Sequence, residues 1–527
     1  MIFLNNIEEK HKKYLVLGFF ALLLIIGLSL YKDYGLSWDE PISHVNGQVS
    51  LSYVSKGDPE LLSYSERYYG TIFEMPFAWA QQVFNITTPQ KVFFLRHIGT
   101  FLLFVVGVFF FYLLCLKRFK SEWLALLGST FLVLSPRIFA DAFYNSKDIP
   151  VMVFFIVAIY TLERFLKDPS IKNVLWHSFA TALIIATRIP GIFVLLLTAV
   201  MVTLHLVILP EVRIKWKKML TLLGVYVIAT VLLTILFWPF LWQHPLAHFG
   251  EAFADMSKFS RQLGMQVLYL GDFLVASKLP WHYIPTWILV TTPFLYLLLF
   301  FVGIGAVIKR FSRNFVDSFR QYWPDISVLG WLLGPLFAVI ILHSVLYDGW
   351  RHLYFVYPSI IYLAMVGIEW IIEFAKRYTD RVKKVLRAGV GAIVVVQILV
   401  VLIFMIKSHP YQNVYFNFLA GGMEQARKNF DLDYWGLSFR EGLEYIATHD
   451  SDKMIPVYFA GGSLDNTLIL APEVASRFEV LSQADIARAK YVLSNYRWQQ
   501  YDQLPHQLGV FSVKVRGESI LSVFKVR

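Results

Sequence analysis

Between Tyr14 and Ile406 the sequence is a succession of apolar windows, each long enough to cross a bilayer, and this restricts the fold more than any motif does. Lipid offers no hydrogen-bond partner to a bare peptide group, so a spanning segment must be a helix of about 20 mainly apolar residues. About eleven windows satisfy this: Tyr14 to Leu30, Ile98 to Leu116, Trp123 to Ala140, Ile149 to Leu166, Val174 to Ala186, Ile192 to Leu209, Met219 to Leu241, Pro285 to Ile308, Ile326 to Leu346, Leu353 to Ile372 and Ala388 to Ile406. Of the 527 residues, 57% are hydrophobic and 16% charged, against roughly 25% charged in soluble domains. A polytopic α-helical membrane protein is therefore expected.

The first window lacks the small-residue cleavage site of a signal peptide and is expected to remain as an anchor. Every second connection is basic, as in "EKHKK", "KRFK", "RFLKDPSIK", "RIKWKK", "KRFSRNF" and "KRYTDRVKKVLR". By the positive-inside rule the N-terminus is cytoplasmic, and an odd helix count leaves the C-terminus outside. The net charge of +11 is thus a topology signal, and nucleic acid is not an expected partner. The external segments are residues 31–97, a turn near Asp141, residues 242–283 and the tail beyond Lys407. That tail alternates short β-like runs ("MIPVYFA", "RFEVL", "YVLSN", "GVFSVKV", "SILSVFKV") with helical patterns ("SFREGLEYIATH", "QADIARAK"). It reads as a small extracytoplasmic α/β domain over 407–527, after a transmembrane unit over 1–406.

The one cysteine, Cys115, excludes a disulfide framework. No Walker loop, GxGxxG or zinc-type Cys/His cluster is present, which argues against ATP hydrolysis and dinucleotide chemistry. The ionisable residues of the short external connections fall instead at helix ends: Asp39 and Glu40 in "GLSWDEPISH", Glu66 and Arg67 in "SERYYGTIFEMP", Arg96 and His97, Asp141, Lys147 and Asp148 in "RIFADAFYNSKDIP", Arg188 in "TRIPG", and Asp348, Arg351 and His352 in "YDGWRH". Guanidinium groups suit a lipid phosphate because they bond its oxygens bidentately and stay charged. A phosphate that carries a sugar is a ready leaving group, and an attacking hydroxyl or amine then needs a single carboxylate as general base.

The ordered set "WDE", "ERYYG", "KDIP", "TRIPG", "LPWHYIPTWILVTTP" and "YDGWRH", placed on this topology, resembles the GT-C glycosyltransferases. Within them it is similar to the dolichyl-phosphate-mannose protein mannosyltransferase family and its bacterial branch, which includes the lipid A aminoarabinose transferase. The resemblance spans roughly Met1 to Ile406. It implies an inverting transfer of a sugar from a polyprenyl-phosphate-linked donor to an extracytoplasmic acceptor, in a bacterial inner membrane. It places the catalytic acid at Asp39, completed by Glu40 as the Asp-Glu pair of the protein mannosyltransferases. Asp148 corresponds to the family's second external acid, or else caps the helix that follows it. Arg67 takes the place of a lysine set against donor phosphate, although the prolines that follow in the family are absent here. Arg188, Arg351 and His352 are the further phosphate-binding candidates, and Glu66, Lys147 and Arg96 complete the set.

No cofactor is expected. Glu40, His44 and Glu66 leave a divalent metal open as an alternative, but no pair has a compact ligand spacing. "EAFADMSKFSRQL", with Phe253, Met256, Phe259 and Leu263 at helical spacing and Lys258 and Arg261 between them, suits the membrane interface, as a wall of a lipid entrance or as a packed external helix. In the tail, Asn417, Asp433 and Arg440 are either acceptor contacts or turn caps, the latter preferred. Two other classes stay open. One is a polymerase or ligase with a pyrophosphate-linked donor. The other is a lipid or solute transporter, which would place its charges near the bilayer midplane on broken helices.

Overall fold

The structure is a computed structural model that describes residues 9–258, 264–461, 466–498 and 509–527. Among these, nine helices are long and apolar enough to cross a membrane: Lys12–Leu30, Pro89–Phe119, Asp148–Lys167, Ile189–Ile208, Trp216–Phe237, Phe294–Arg313, Phe315–Ile341, Arg351–Ala375 and Asp380–Lys407. The protein is an integral membrane protein. The two remaining windows take other forms. Trp123 to Ala140 is broken into Glu122–Val133 and Pro136–Tyr144, which meet at 67°. Pro136 has no N–H to give and its ring collides with the carbonyl four residues back, so the first piece must stop before it. Val174 to Ala186 becomes the 15-residue helix Ile171–Ile185, about 22 Å long at 1.5 Å per residue and so short of a ~30 Å hydrocarbon core. The Pro285 to Ile308 window is likewise divided at Pro293, into Tyr283–Thr291 and Phe294–Arg313.

The spans are not equivalent. Of the apolar windows, 83% of Asp148–Lys167 and 78% of Arg351–Ala375 is buried in protein, against 11% of Lys12–Leu30 and 22% each of Trp216–Phe237 and Asp380–Lys407. The first two form the axis of the bundle and the last three face outward. Where no hydrophobic drive separates helix from lipid, close backbone approach supplies the packing. Gly303 and Gly367 show this: a Cβ on Gly303 would run into the Leu363 carbonyl, and one on Gly367 into that of Leu299.

At the helix ends that carry the "KRFK" and "KRFSRNF" clusters, the charges are tied together. Arg118 grips Asp325 with two bonds of 2.7 and 2.8 Å and reaches Glu369 at 3.1 Å. Arg310 pairs with Glu369 at 2.9 Å and with Asp325 at 3.6 Å, and the Tyr362 hydroxyl donates to Asp325 at 3.1 Å. Asp325 is fully buried, and the knot joins four spans.

Beyond Lys407 the chain forms the expected α/β unit. Two short strands, β1 (Gln266–Tyr269) and β2 (Asp272–Val275), form a hairpin in the 242–283 segment. The tail contributes β3 (Ile455–Ala460), β4 (Phe478–Val480), β5 (Tyr491–Ser494), β6 (Gly509–Val515) and β7 (Glu518–Lys525) in the order β4-β3-β5-β7-β6. β3 runs parallel to β4 and β5, while β7 is antiparallel to β5 and β6. The β6–β7 turn has two residues, Arg516 (φ 49°) and Gly517 (φ 90°), the left-handed pair that matches strand twist. All five strand runs read in the tail are strands. "SFREGLEYIATH" is helical over Phe439–His449, whereas "QADIARAK" forms only a 3-10 turn, Gln483–Arg488. Of the amphipathic stretch, the part up to Lys258 belongs to the helix Pro245–Lys258. Phe259, Arg261 and Leu263 lie outside the described residues.

Candidate functional site

The "WDE" segment leaves the first span and opens the helix Asp39–Lys56. Adjacent residues at a helix start point about 100° apart, so Asp39 and Glu40 part company. Asp39 keeps 18% of its side-chain surface and faces a group of cations: Arg351 at 2.9 Å and Lys147 at 3.8 Å. Burial alone would push its carboxyl up, but the charges of Lys147, Arg351 and Arg188 outweigh that and hold it well below the usual carboxylate range.

Glu40 turns inward and is 1% exposed. Its Oε2 accepts from the Ser37 backbone N–H (2.9 Å) and hydroxyl (3.0 Å), and its Oε1 lies 3.0 Å from His97 Nε2. The Ser37-x-x-Glu40 spacing is that of a capping box. This corrects the catalytic expectation for Glu40: its Oε2 is committed to the helix start and its Oε1 lies against His97, away from Asp39.

Asp148 stands in the first turn of Asp148–Lys167, where the helix dipole favours a carboxylate. The local cap is Asn145, which exchanges two bonds with Asp148 (2.8 and 3.0 Å). The free edge of Asp148 takes Arg188 at 2.7 Å and Arg351 at 3.3 Å. Arg351 is 1% exposed and contacts Asp39, Asp148 and Asp348 at once. It thus gathers carboxylates, which leaves little of it for a phosphate. His352 lies edge-on to Tyr347, at 4.7 Å between ring centroids.

Tyr69 of "ERYYG" lies beneath two of the cations, with Lys147 Nζ 4.9 Å and the Arg188 guanidinium 5.9 Å from its ring. The loop reaches that position because Gly70 abuts the backbone just before "TRIPG": a Cβ there would run into the Ala186 carbonyl. Arg67 is spent inside its own loop. It donates to the Tyr64 carbonyl (2.8 Å) and the Tyr68 hydroxyl (2.6 Å) and stacks on the Tyr68 ring at 4.4 Å. The structure therefore places Arg67 apart from the cations at Asp39, with its Nη1 and Nη2 engaged within its own loop. The Glu66 carbonyl accepts from Asn46. Arg96 pairs with Glu74 and donates to Ser146 at 3.1 Å, while Ser146 donates to Glu74 at 2.9 Å. This second buried ion pair braces the loop against the "NSKDIP" turn.

Arg497 and Asn466, which sequence reasoning missed, both come from the tail. Arg497, 3% exposed, pairs with Asp348, donates to the Tyr434 carbonyl at 2.8 Å and stacks on Trp38 at 3.9 Å. Burial pushes the Asp348 carboxyl up, against the pull of Arg497 and Arg351. Asn466 exchanges two 3.0 Å bonds with the backbone of Leu36. The tail thus grips the segment that carries Asp39. Of the other tail candidates, Asn417 and Asp433 act as caps, while Arg440 fastens the tail to the chain that follows the first span. Asn417 accepts from Leu419 N–H at 2.8 Å, Asp433 accepts from the Ser438 N–H at 2.9 Å, and Arg440 donates to the Tyr34 carbonyl at 2.9 Å.

The assembled cluster holds four cations (Lys147, Arg188, Arg351, Arg497) and three carboxylates (Asp39, Asp148, Asp348), a surplus of one positive charge. Its accessible edge is formed by Asp39 (18%), Lys147 (16%) and Arg188 (12%). Among the described residues no group of three or more His, Cys, Asp or Glu side chains is placed to hold a metal. His44 rests against Phe93, and burial with the nearby Arg96 charge brings it down to about 4.

No curated protein sequence matches the chain. Among solved structures it is similar to ArnT from Cupriavidus metallidurans in the apo state, with 12% identity, 96% of this chain and 98% of that one covered, and a TM-score of 0.48. The same protein bound to undecaprenyl phosphate gives 14%, 96%, 98% and 0.48. The archaeal oligosaccharyltransferase AglB from Archaeoglobus fulgidus, in complex with an inhibitory peptide and a dolichol-phosphate, gives 13%, 92%, 70% and 0.45. A family model described as dolichyl-phosphate-mannose-protein mannosyltransferase matches residues 76–238, a stretch that includes Arg96, Lys147, Asp148 and Arg188 but stops short of Arg351. Over those residues, the chain carries the sequence pattern of the dolichyl-phosphate-mannose-protein mannosyltransferases.

Proposed function

We propose that the protein is a GT-C glycosyltransferase that moves one sugar, with inversion, from a polyprenyl-phosphate carrier to an acceptor on the extracytoplasmic side of the membrane. The observation that carries this reading is the accessible edge of the cluster, where one ionised carboxylate, Asp39, stands beside two cations, Lys147 and Arg188. The cations take the donor phosphate and the surplus charge of the cluster favours its arrival. The acceptor O–H attacks the anomeric carbon, the bond from that carbon to the phosphate oxygen breaks, the proton passes to Asp39 and polyprenyl phosphate departs with the bonding pair. Arg351 holds Asp39 and Asp148 at a fixed separation, and Asp148 aims Arg188 at the phosphate. A phosphate seated between Lys147 and Arg188 draws part of their charge away from Asp39. The carboxylate, a weak base in the empty site, becomes a better one once donor is bound.

The test is transfer of labelled sugar from a panel of polyprenyl-phosphate and polyprenyl-pyrophosphate donors by purified protein, beside Asp39→Asn. Turnover should fall by about 10²- to 10⁴-fold in the variant while donor binding persists. Full activity of Asp39→Asn overturns the assignment of the base. Turnover restricted to pyrophosphate donors moves the protein to the polymerase or ligase class.

A further inference from the structure

A groove of about 440 Å³ lies between the last span and the tail domain, lined by Val400, Ile403, Phe404, Lys407, Ser408 and Arg516. It shares no residue with the Asp39 cluster. Its floor is the outward side of Asp380–Lys407, a span only 22% buried, so Val400 and Ile403 belong to the lipid-facing surface. Lys407 is the last residue of that span, the point where an apolar helix meets the headgroup layer. A cation there would be ordinary as a helix end. Arg516 has no such explanation. It comes from a different domain, sits at the tip of the two-residue β6–β7 turn and lays its guanidinium 4.7 Å from the Phe404 ring. Neither Lys407 nor Arg516 has a carboxylate partner among the described residues.

We propose that this groove is a binding site for an anionic phospholipid, its phosphate held by Lys407, Arg516 and the Ser408 hydroxyl and one acyl chain lying along Ile403 and Val400. Two uncompensated cations above an apolar floor at headgroup depth match a lipid with negative charge at one end and hydrocarbon at the other. The lipid then bridges the bundle and the tail domain, and fastens the domain that grips the Asp39 segment.

The test uses the full chain in detergent, titrated with phosphatidylglycerol, phosphatidylcholine and undecaprenyl phosphate and read by native mass spectrometry. At about fivefold per cation, phosphatidylglycerol should bind about 30-fold more tightly than phosphatidylcholine, and Lys407→Ala with Arg516→Ala should abolish the preference. The milder Lys407→Gln with Arg516→Gln, checked by thermal melting, separates loss of lipid from loss of fold. Equal binding of the two phospholipids, or an unchanged preference in both double variants, overturns the proposal. So does preferential uptake of undecaprenyl phosphate at these residues, which would make the groove part of the donor route. Binding is read without sugar transfer, so this proposal and the proposed activity fail independently.

Discussion

At the scale of single residues, the neighbours Asp39 and Glu40 part: Asp39 stands at the accessible edge of the cluster and Glu40 is buried in the helix start. Glu40→Ala leaves the Ser37 N–H and the His97 ring without their buried partner, a cost of about 1–3 kcal/mol. A thermal melt should therefore show Glu40→Ala well below the parent protein and Asp39→Asn much closer to it; the reverse order would contradict the geometry. Asp39 was legible as a candidate because a carboxylate just past a span, in a motif with a family precedent, has few other reasons to be there. The inward turn of Glu40 was also legible, in Ser37-x-x-Glu40, but the motif resemblance drew both acids into one role. What could not be read was which arginines are already spent. Arg67 is consumed by its own loop and Arg351 by three acids, and only the folded geometry reveals those partners.

At the scale of elements, the apolar lengths located the spans because lipid imposes a length and a composition on each. The interruptions at Pro136 and Pro293 were visible as prolines, yet their consequence, a 67° bend in one case, depends on packing. The tail's strands were legible from their alternation. Its docking was not, since Arg497 meets Asp348 and Trp38 only through the tertiary fold. Removing Arg497 alone takes one of the two cations from the buried Asp348, which keeps Arg351, and costs about 1–3 kcal/mol. The double change Arg497→Met with Asp348→Asn should recover much of that stability in a melt but not the turnover, because Arg351 has then lost an acid that helps to aim it. Full turnover in the double variant would reduce Arg497 to a structural role.

Asp431 supplies a second handle on the tail. It accepts from the Leu268 N–H of β1 at 3.2 Å, and burial raises it to about 6. A carboxyl raised above its unfolded value, near 3.9, binds the proton more tightly in the folded state, so this group makes the protein less stable as pH rises from about 4 to 6. Asp431→Asn should flatten that part of the curve of melting temperature against pH; an unaltered slope would show that other groups set it.

At the scale of the whole molecule, the orientation read from the basic loops can be checked directly. Cys115 is fully buried and is the one native cysteine, so a Cys115→Ser background is silent to thiol reagents. Ile214→Cys, at a site 83% exposed, and Met454→Cys, at one 55% exposed, should label from opposite faces of sealed vesicles, Met454→Cys from the extracytoplasmic side. Labelling from the same face would invert the tail or remove a crossing. The knot of Arg118, Arg310, Asp325 and Glu369 bears on what kind of machine this bundle can be. Any motion that slid one of these four spans against the others would have to separate such charges, and breaking a buried pair costs about 3–5 kcal/mol. With four spans fastened at one end, any opening of the bundle is confined to the other, where Asp39, Lys147 and Arg188 form the partly open edge.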